Sequence, residues 1–259
     1  MTLKEMLILL TPPEGLARVR ALSLTPAHRL WRLGAGGRLM RLGAGTPRRG
    51  LLAVDDCGFD GRGDPAATCR QIVRECENFG LGGVVCLFKG GGSPLSGQLA
   101  EQLDATLARR GLSLYVPEWF GTRTVRARVM ISSALSGGSL EARLDECARR
   151  FGGAERLALF VEPVAELFLL PAPTGGGRAL TSRELDGYRR RYGGSVFFSE
   201  ELCERYFTYM TADGGARFVL YDDGATVRKK LLLARQLGIR RALGHFKALN
   251  GMLEEAVTE

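Results

Sequence analysis

The sequence predicts an α/β fold, a single (β/α)8 barrel over residues 1–259 that carries an N-terminal β-hairpin extension. Three observations lead there. From residue 51 onward, short apolar runs alternate with amphipathic segments at a recurring interval. Strands separated in this way pair in parallel through right-handed crossovers, and eight of them close into a barrel. Finally, 259 residues with 45% hydrophobic content are long for one ordinary domain but normal for an α/β barrel.

Residues 1–50 form a basic segment that holds nine Lys or Arg against Glu5 and Glu14, so it carries +7 of the chain's net +8. Within it, MLILL (6–10) is the first candidate strand. HRLWRLGAGGRLMRLG (28–43) alternates Arg with Leu, Trp and Met around GAGG, the pattern of a hairpin with one apolar and one basic face. A solvated basic face is favoured over a nucleic-acid site, although such a charge density could also meet an anionic polymer.

The main β/α repeats occupy 51–259. LLAVDDCGF (51–59) is a strand followed by turn residues, and DPAATCRQIVRECENFG (64–80) opens with an Asp cap and Pro and closes on Gly, a complete helix signature. GGVVCLF (82–88), the glycine-rich KGGGSPLSG (89–97) and the helix QLAEQLDATLARRG (98–111) form the next unit. GLSLYVPEWFG, then ARVMISS with the helix SLEARLDECARRFG, then ERLALFVEP follow. After the connection LLPAPTGGGRALTS come SRELDGYRRRYG, a strand SVFFS, a helix EELCERYFTYM, a strand ARFVLYDD and a helix ATVRKKLLLARQLG. Tyr206, Phe207 and Met210 stand at helical spacing there, which suits core packing.

Several function classes fall away. The alternative fold, a doubly wound open sheet, would need a phosphate-loop or dinucleotide signature, and KGGGSPLSG has neither the GxGxxG nor the GKS/T pattern; no cofactor is expected. The six cysteines include no CxxC pair and no histidine at ligand spacing, so no metal is expected and the thiols read as reduced and mostly buried. The apolar run Met6–Leu10 is too short to span a bilayer and is flanked wrongly for a secretory signal, which sets cytoplasmic location and no membrane as expectations.

Barrels of this kind work at the carboxyl ends of their strands. That rule selects Asp55, Asp56, Lys89, Glu118, Trp119, Ser132, Ser133, Glu162, Ser199, Tyr221, Asp222 and Asp223. The set is rich in carboxylates, the chemistry of glycoside hydrolysis, and Trp119 and Tyr221 offer faces for a sugar ring. No histidine is expected at a strand end, which argues against Ser or Cys nucleophiles. Other roles compete: Asp55 and Asp56 as loop caps, Asp223 as N-cap of the last helix, Asp222 as partner of Arg228 or Lys229, and Ser139 or Ser136 as cap of SLEARL.

Two stretches carry a resemblance. RECENFGLGGVVCLF (74–88) is similar to the helix and strand that deliver the catalytic motif in family 18 glycoside hydrolases, the chitinase-like TIM barrels. FVLYDDGATVRKKLLLARQLGIRRAL (218–243) resembles the last barrel unit of their spore-cortex and peptidoglycan-directed members, where a Tyr/Phe-Asp-Asp strand end precedes Ser/Thr-x-x-x-Lys. The resemblance implies a TIM-type barrel and a β-1,4-linked amino-sugar polymer as substrate class. The family's Asp-Gly-x-Asp-x-Asp-x-Glu motif places its acids on Gly82, Val85, Leu87 and Lys89 of this chain, so its proton donor and steering carboxylate are missing. A lysine, with an unperturbed pKa of about 10.4, stays charged near neutrality and cannot take the donor's place.

Three functions are therefore compatible with the sequence. The leading one is a catalytically degenerate barrel that binds a saccharide or partner at its strand-end face. The second is a glycosidase with Glu118 as acid and Asp222 or Asp223 as base or nucleophile, the substrate-binding set being Asp55, Asp56, Lys89, Trp119, Ser132, Ser133, Glu162 and Tyr221. The third is a phosphate or nucleic-acid binder that uses Lys89, the glycines 90–92 and the basic hairpin.

Overall fold

A computed structural model describes residues 1–43, 45–89, 94–171, 177–212 and 214–258. Eight parallel strands close on themselves: β1 (Leu7–Thr11), β2 (Thr25–Leu33), β4 (Leu51–Asp55), β5 (Gly83–Leu87), β6 (Ser113–Pro117), β7 (Arg128–Ser132), β8 (Leu157–Val161) and β14 (Ala242–His245), with β1 pairing both β2 and β14. A short β3 (Leu39–Arg41) runs antiparallel to the end of β2. Nothing described is a helix long and apolar enough to cross a membrane.

The strands read as continuous apolar runs because both of their faces are buried. Ile8, Leu10, Ala27, Leu51, Ala53, Val85, Tyr115, Met130, Ala158 and Leu243 fill the barrel interior. Their neighbours Leu7, Leu9, Leu52, Val54, Val84, Cys86, Val116, Val129 and Leu159 pack outward under the helices. Gly83 opens β5 at φ +155°, where a Cβ would sit 2.2 Å from the Ser113 carbonyl oxygen, so any side chain would push β5 off β6.

The helices α1 (Leu3–Met6), α2 (Leu16–Ala21), α3 (Pro65–Phe79), α4 (Pro94–Arg109) and α5 (Leu140–Phe151) come before β8 in the chain. The Asp64 side chain accepts the Ala66 N–H to cap α3, and Gly80 ends it in the left-handed conformation at φ +58°. The Ser139 side chain caps α5 by accepting the Ala142 N–H.

Between β8 and α7 (Gly224–Gln236) the chain builds a second sheet. It contains β9 (Ala165–Leu170), β10 (Arg178–Ala179), β11 (Phe197–Ser199), β12 (Glu204–Met210) and β13 (Ala216–Tyr221) in the antiparallel order β10-β9-β13-β12-β11. Helix α6 (Ser182–Tyr192) covers one face, where Tyr188 and Tyr192 join Phe207, Val219 and Tyr221. Two short helices, α8 (Phe246–Leu249) and α9 (Leu253–Ala256), close the chain.

The barrel expected from the sequence is present, but two of its strands are not the expected ones. SVFFS and ARFVLYDD lie in the second sheet as β11 and β13, and β2 and β14 take their places in the barrel. The hairpin around GAGG exists at Trp31–Leu33 and Leu39–Arg41, yet its first strand is the nine-residue barrel strand β2. EELCERYFTYM is not a helix: from Glu204 it forms strand β12, in which Phe207 is buried and Met210 is exposed. Cross-strand pairing with β11 and β13 overrides the helical spacing of its aromatics.

Candidate functional site

Extending the interior side-chain phase of each strand by one step reaches the barrel mouth. Arg29 follows Ala27 on β2, Asp55 follows Ala53 on β4, and Lys89 follows Val85 and Leu87 beyond β5. Likewise Pro117 follows Tyr115, Ser132 follows Met130, Glu162 follows Phe160, and His245 follows Leu243. All of these line one cavity of about 470 Å³, together with Cys57, Phe88, Glu118 and Trp119. Every barrel strand except β1 contributes to its lining.

The acids of this cavity are each engaged. Glu118, on the turn after β6, accepts the Arg143 guanidinium at 2.6 Å and faces Arg150 at 3.6 Å, both from α5. Glu162 accepts the Ser132 hydroxyl at 2.6 Å, while the Ser133 hydroxyl accepts the Glu162 N–H at 3.1 Å. Asp55 accepts the Cys57 N–H at 3.0 Å, a local Asx turn. Asp56, expected at the site, does not line the cavity; it takes the Lys89 N–H at 3.1 and 3.2 Å, which fixes the backbone from which the Lys89 side chain projects. Trp119 keeps half its surface exposed, at 51%.

The sequence placed Asp55, Lys89, Glu118, Trp119, Ser132 and Glu162 at this mouth, and the structure brings them together. It does not bring Asp222, Asp223, Tyr221 or Ser133 there. Asp222 is buried at the junction of second sheet and barrel, where its carboxylate meets the Lys230 ammonium at 2.8 Å and accepts the Val164 N–H at 2.9 Å. Lys230 in turn binds Glu204 on β12 at 2.7 Å. Burial, first, and the Asp222 charge push Glu204 up to about 7 against the opposing pull of Lys230. Glu118 and Asp222 thus cannot share a substrate as acid and base, because the second is sealed inside an ion cluster.

Asp223 caps α7 through the Thr226 N–H and pairs with Arg205 at 2.5 Å, the alternative role its position offered. Tyr221 packs under α6 with Phe207, and Arg189 lies over its ring. Ser133 is fully buried, and Ser199, in the second sheet, accepts the Leu202 N–H. The glycines at 90–92, offered as a phosphate loop, lie outside the described residues.

Among the mouth residues that escape a reading of the sequence are two basic ones, Arg29 and His245. Contrary to the expectation that no histidine reaches a strand end, His245 terminates β14 and stands edge-on to Phe160, ring centres 5.6 Å apart. Burial and then the Arg29 charge hold it below the ordinary imidazole value. The other histidine, His28, is buried and makes a 2.8 Å hydrogen bond between Nε2 and the Arg49 carbonyl. Arg29 was counted as part of a solvated basic face, but β2 carries it to the mouth; the signal was the two-residue step from Ala27, visible only once β2 is recognised as a barrel strand.

Among the described residues no group of His, Cys, Asp and Glu could hold a metal ion. All six cysteines are free, and Cys57 alone is exposed.

No family model and no curated protein matches the sequence. Solved structures do match. The Bacillus cereus spore cortex-lytic enzyme SleL superposes with a TM-score of 0.67 at 14% identity, over 100% of this chain and 75% of that one. A chitinase from Chromobacterium violaceum gives 0.68 at 16% identity over 98% and 99%. A mutant class V chitinase from Cycas revoluta, solved in complex with (GlcNAc)3, gives 0.62 at 13% identity over 97% of each chain. The chain has a family 18 glycoside hydrolase-like TIM-barrel fold.

Proposed function

We propose that this barrel binds an amino-sugar saccharide at its strand-end cavity and does not hydrolyse it. The observation that carries the reading is the inward face of β5: Val85 and Leu87 look into the barrel and Lys89 into the cavity, at the positions where the family's motif has two aspartates and its proton donor. An ammonium there presents charge to the ligand in place of an acid proton. Neither of the acids that the sequence offered in its place compensates, since Glu118 is clasped by two guanidinium groups and Asp222 is enclosed with Lys230.

Binding itself is supported by the cavity's size, which falls in the range that holds a small ligand, and by its make-up of apolar floor and convergent polar groups. Leu87, Met130 and Phe160 form the floor, and the exposed Trp119 ring is a face for stacking. The relation to the (GlcNAc)3-bound chitinase supports an amino sugar as the body of the ligand.

The test is calorimetric titration with N-acetylglucosamine oligomers beside a turnover assay of wild type, Glu118→Gln and Asp222→Asn. Binding without turnover is the expected result. Robust wild-type turnover would overturn the reading, and turnover insensitive to both substitutions would also exclude these two acids.

A further inference from the structure

The acids and the bases of the cavity are not in the same condition. Asp55, Glu118 and Glu162 each accept a hydrogen bond from this chain. Arg29 and Lys89 line the same space, and neither side chain has an ion-pair partner among the described residues. In Arg29 the imbalance is sharper, because its Nε is buried with no acceptor at all. A buried donor left unmatched by the protein is a standing cost that an acceptor brought into the cavity relieves.

From this asymmetry we infer that the ligand of the cavity is an acidic saccharide, whose carboxylate is held between Arg29 and Lys89 while its ring lies against Trp119. The inference rests on the saccharide-binding reading above and narrows it to a charge class.

The chemistry favours a carboxylate over a neutral group. A guanidinium offers a rigid fork of donors that matches two carboxylate oxygens, and an ammonium adds a point charge. The other groups of the mouth do not supply that match. Glu118 is already neutralised by Arg143 and Arg150, and His245 faces the space uncharged at neutral pH because burial and Arg29 hold it below the ordinary imidazole value. Asp55 stands between the two cations in strand order, but its Oδ1 is turned to the Cys57 N–H. A neutral oligomer would fill the same volume and leave both cations unmatched, so discrimination against it is built in.

Three disaccharides of equal length separate the possibilities: chitobiose, N-acetylglucosamine linked to N-acetylmuramic acid, and glucuronic acid linked to N-acetylglucosamine. The first is neutral, the second carries its carboxylate on an ether at C3, and the third carries it at C6. By titration calorimetry at low salt, one acidic disaccharide should bind at least about tenfold more tightly than chitobiose, and raised salt should erode the difference. The preference should fall towards unity in Arg29→Gln and in Lys89→Met. Should Arg29→Gln fail to fold, Lys89→Met, at an exposed position, still decides the matter.

Chitobiose bound as tightly as both acids, or an acid preference that survives Lys89→Met, would overturn the inference and leave saccharide binding intact. Failure of all three to bind would overturn both. The acid preferred tells an ether-borne carboxylate from a uronate.

Discussion

Lys230 and Glu204 form an ion pair from which solvent is excluded: Nζ lies 2.7 Å from Oε1 and neither side chain keeps any exposed surface. Asp222 joins at 2.8 Å, so one ammonium serves two buried carboxylates that stand side by side where β12 begins and β13 has ended. Removing the cation strands both. Lys230→Met should therefore lower the unfolding free energy by about 3–5 kcal/mol, the usual cost of breaking a buried pair from one side. Urea denaturation followed by far-UV circular dichroism measures it, and a loss below about 1 kcal/mol would contradict the cluster's structural role.

Glu204 gives this cluster a pH dependence of definite sign. Its value in the fold is about 7 and its ordinary value is 4.5, so the native state holds the proton more tightly than the unfolded chain. The associated stability is fully present below about 4.5 and is lost as pH rises through about 7. Relative to Glu204→Gln, which cannot ionise, wild type should lose stability between about pH 5 and pH 8, by an amount on the order of 3 kcal/mol. Parallel melting curves that keep a constant gap across this range would refute the assignment. The comparison must be made against the variant, because His28 and His245, both held below the ordinary imidazole value, push the acid side of the wild-type curve the other way.

A missing proton donor predicts a catalytic phenotype that can be reversed. Absence of general acid catalysis costs about 10²- to 10⁴-fold in rate, so wild-type hydrolysis of chitotriose at neutral pH should be at least about 10²-fold slower than that of a variant with the acid restored. The double variant Leu87→Asp, Lys89→Glu rebuilds both acids on the inward face of β5 and should produce measurable release of sugar. Chromatography of the reducing-end products reads either result.

Trp119 tests the binding face without disturbing the core. Half of its surface is open, so Trp119→Ala should leave the melting temperature within a degree or so while weakening saccharide binding by about 1 kcal/mol, roughly fivefold. An unchanged affinity would move the ligand away from this wall of the cavity.

Thiol chemistry reports on the same space. Cys57 is exposed at the mouth, whereas burial pushes Cys76 up to about 12 and raises Cys69, Cys86, Cys147 and Cys203 as well. A maleimide should label the native protein once, at Cys57, and a bound saccharide should slow that labelling. Rapid modification of several thiols, identified by peptide mass mapping, would contradict the packing around α3 and α5.

Part of this architecture is written plainly in the chain, and the rest fails for identifiable reasons. Strands β4 to β8 are doubly buried, so their apolar runs are unmistakable, and the helices between them announce themselves through Asp64, Pro65, Gly80 and Ser139. β2 hides because Arg29 and Arg32 interrupt its apolar pattern: one reaches the mouth and the other lies beside Asp55 in register. β14 hides because Ala-Leu-Gly-His is only four residues long and includes a glycine. The strongly β-forming Ser195–Ser199 and Ala216–Tyr221 filled the count of eight in their stead, and nothing local marks them as members of a second sheet. The site inherits the same division. The charged residues on or just beyond the legible strands were found, and Arg29 and His245, on the hidden ones, were not.

The second sheet leaves and re-enters the barrel at one point. The Asp222 N–H donates to the Val164 carbonyl at 2.8 Å while the Asp222 carboxylate accepts the Val164 N–H, so the two ends of the 165–221 segment are stapled side by side. A segment attached in that way is a cassette whose two ends meet at one place, between β8 and α7. Its excision would also take Glu204 away and leave Lys230 matched one to one with Asp222, so the remaining barrel would inherit a balanced ion pair in place of an overcrowded one.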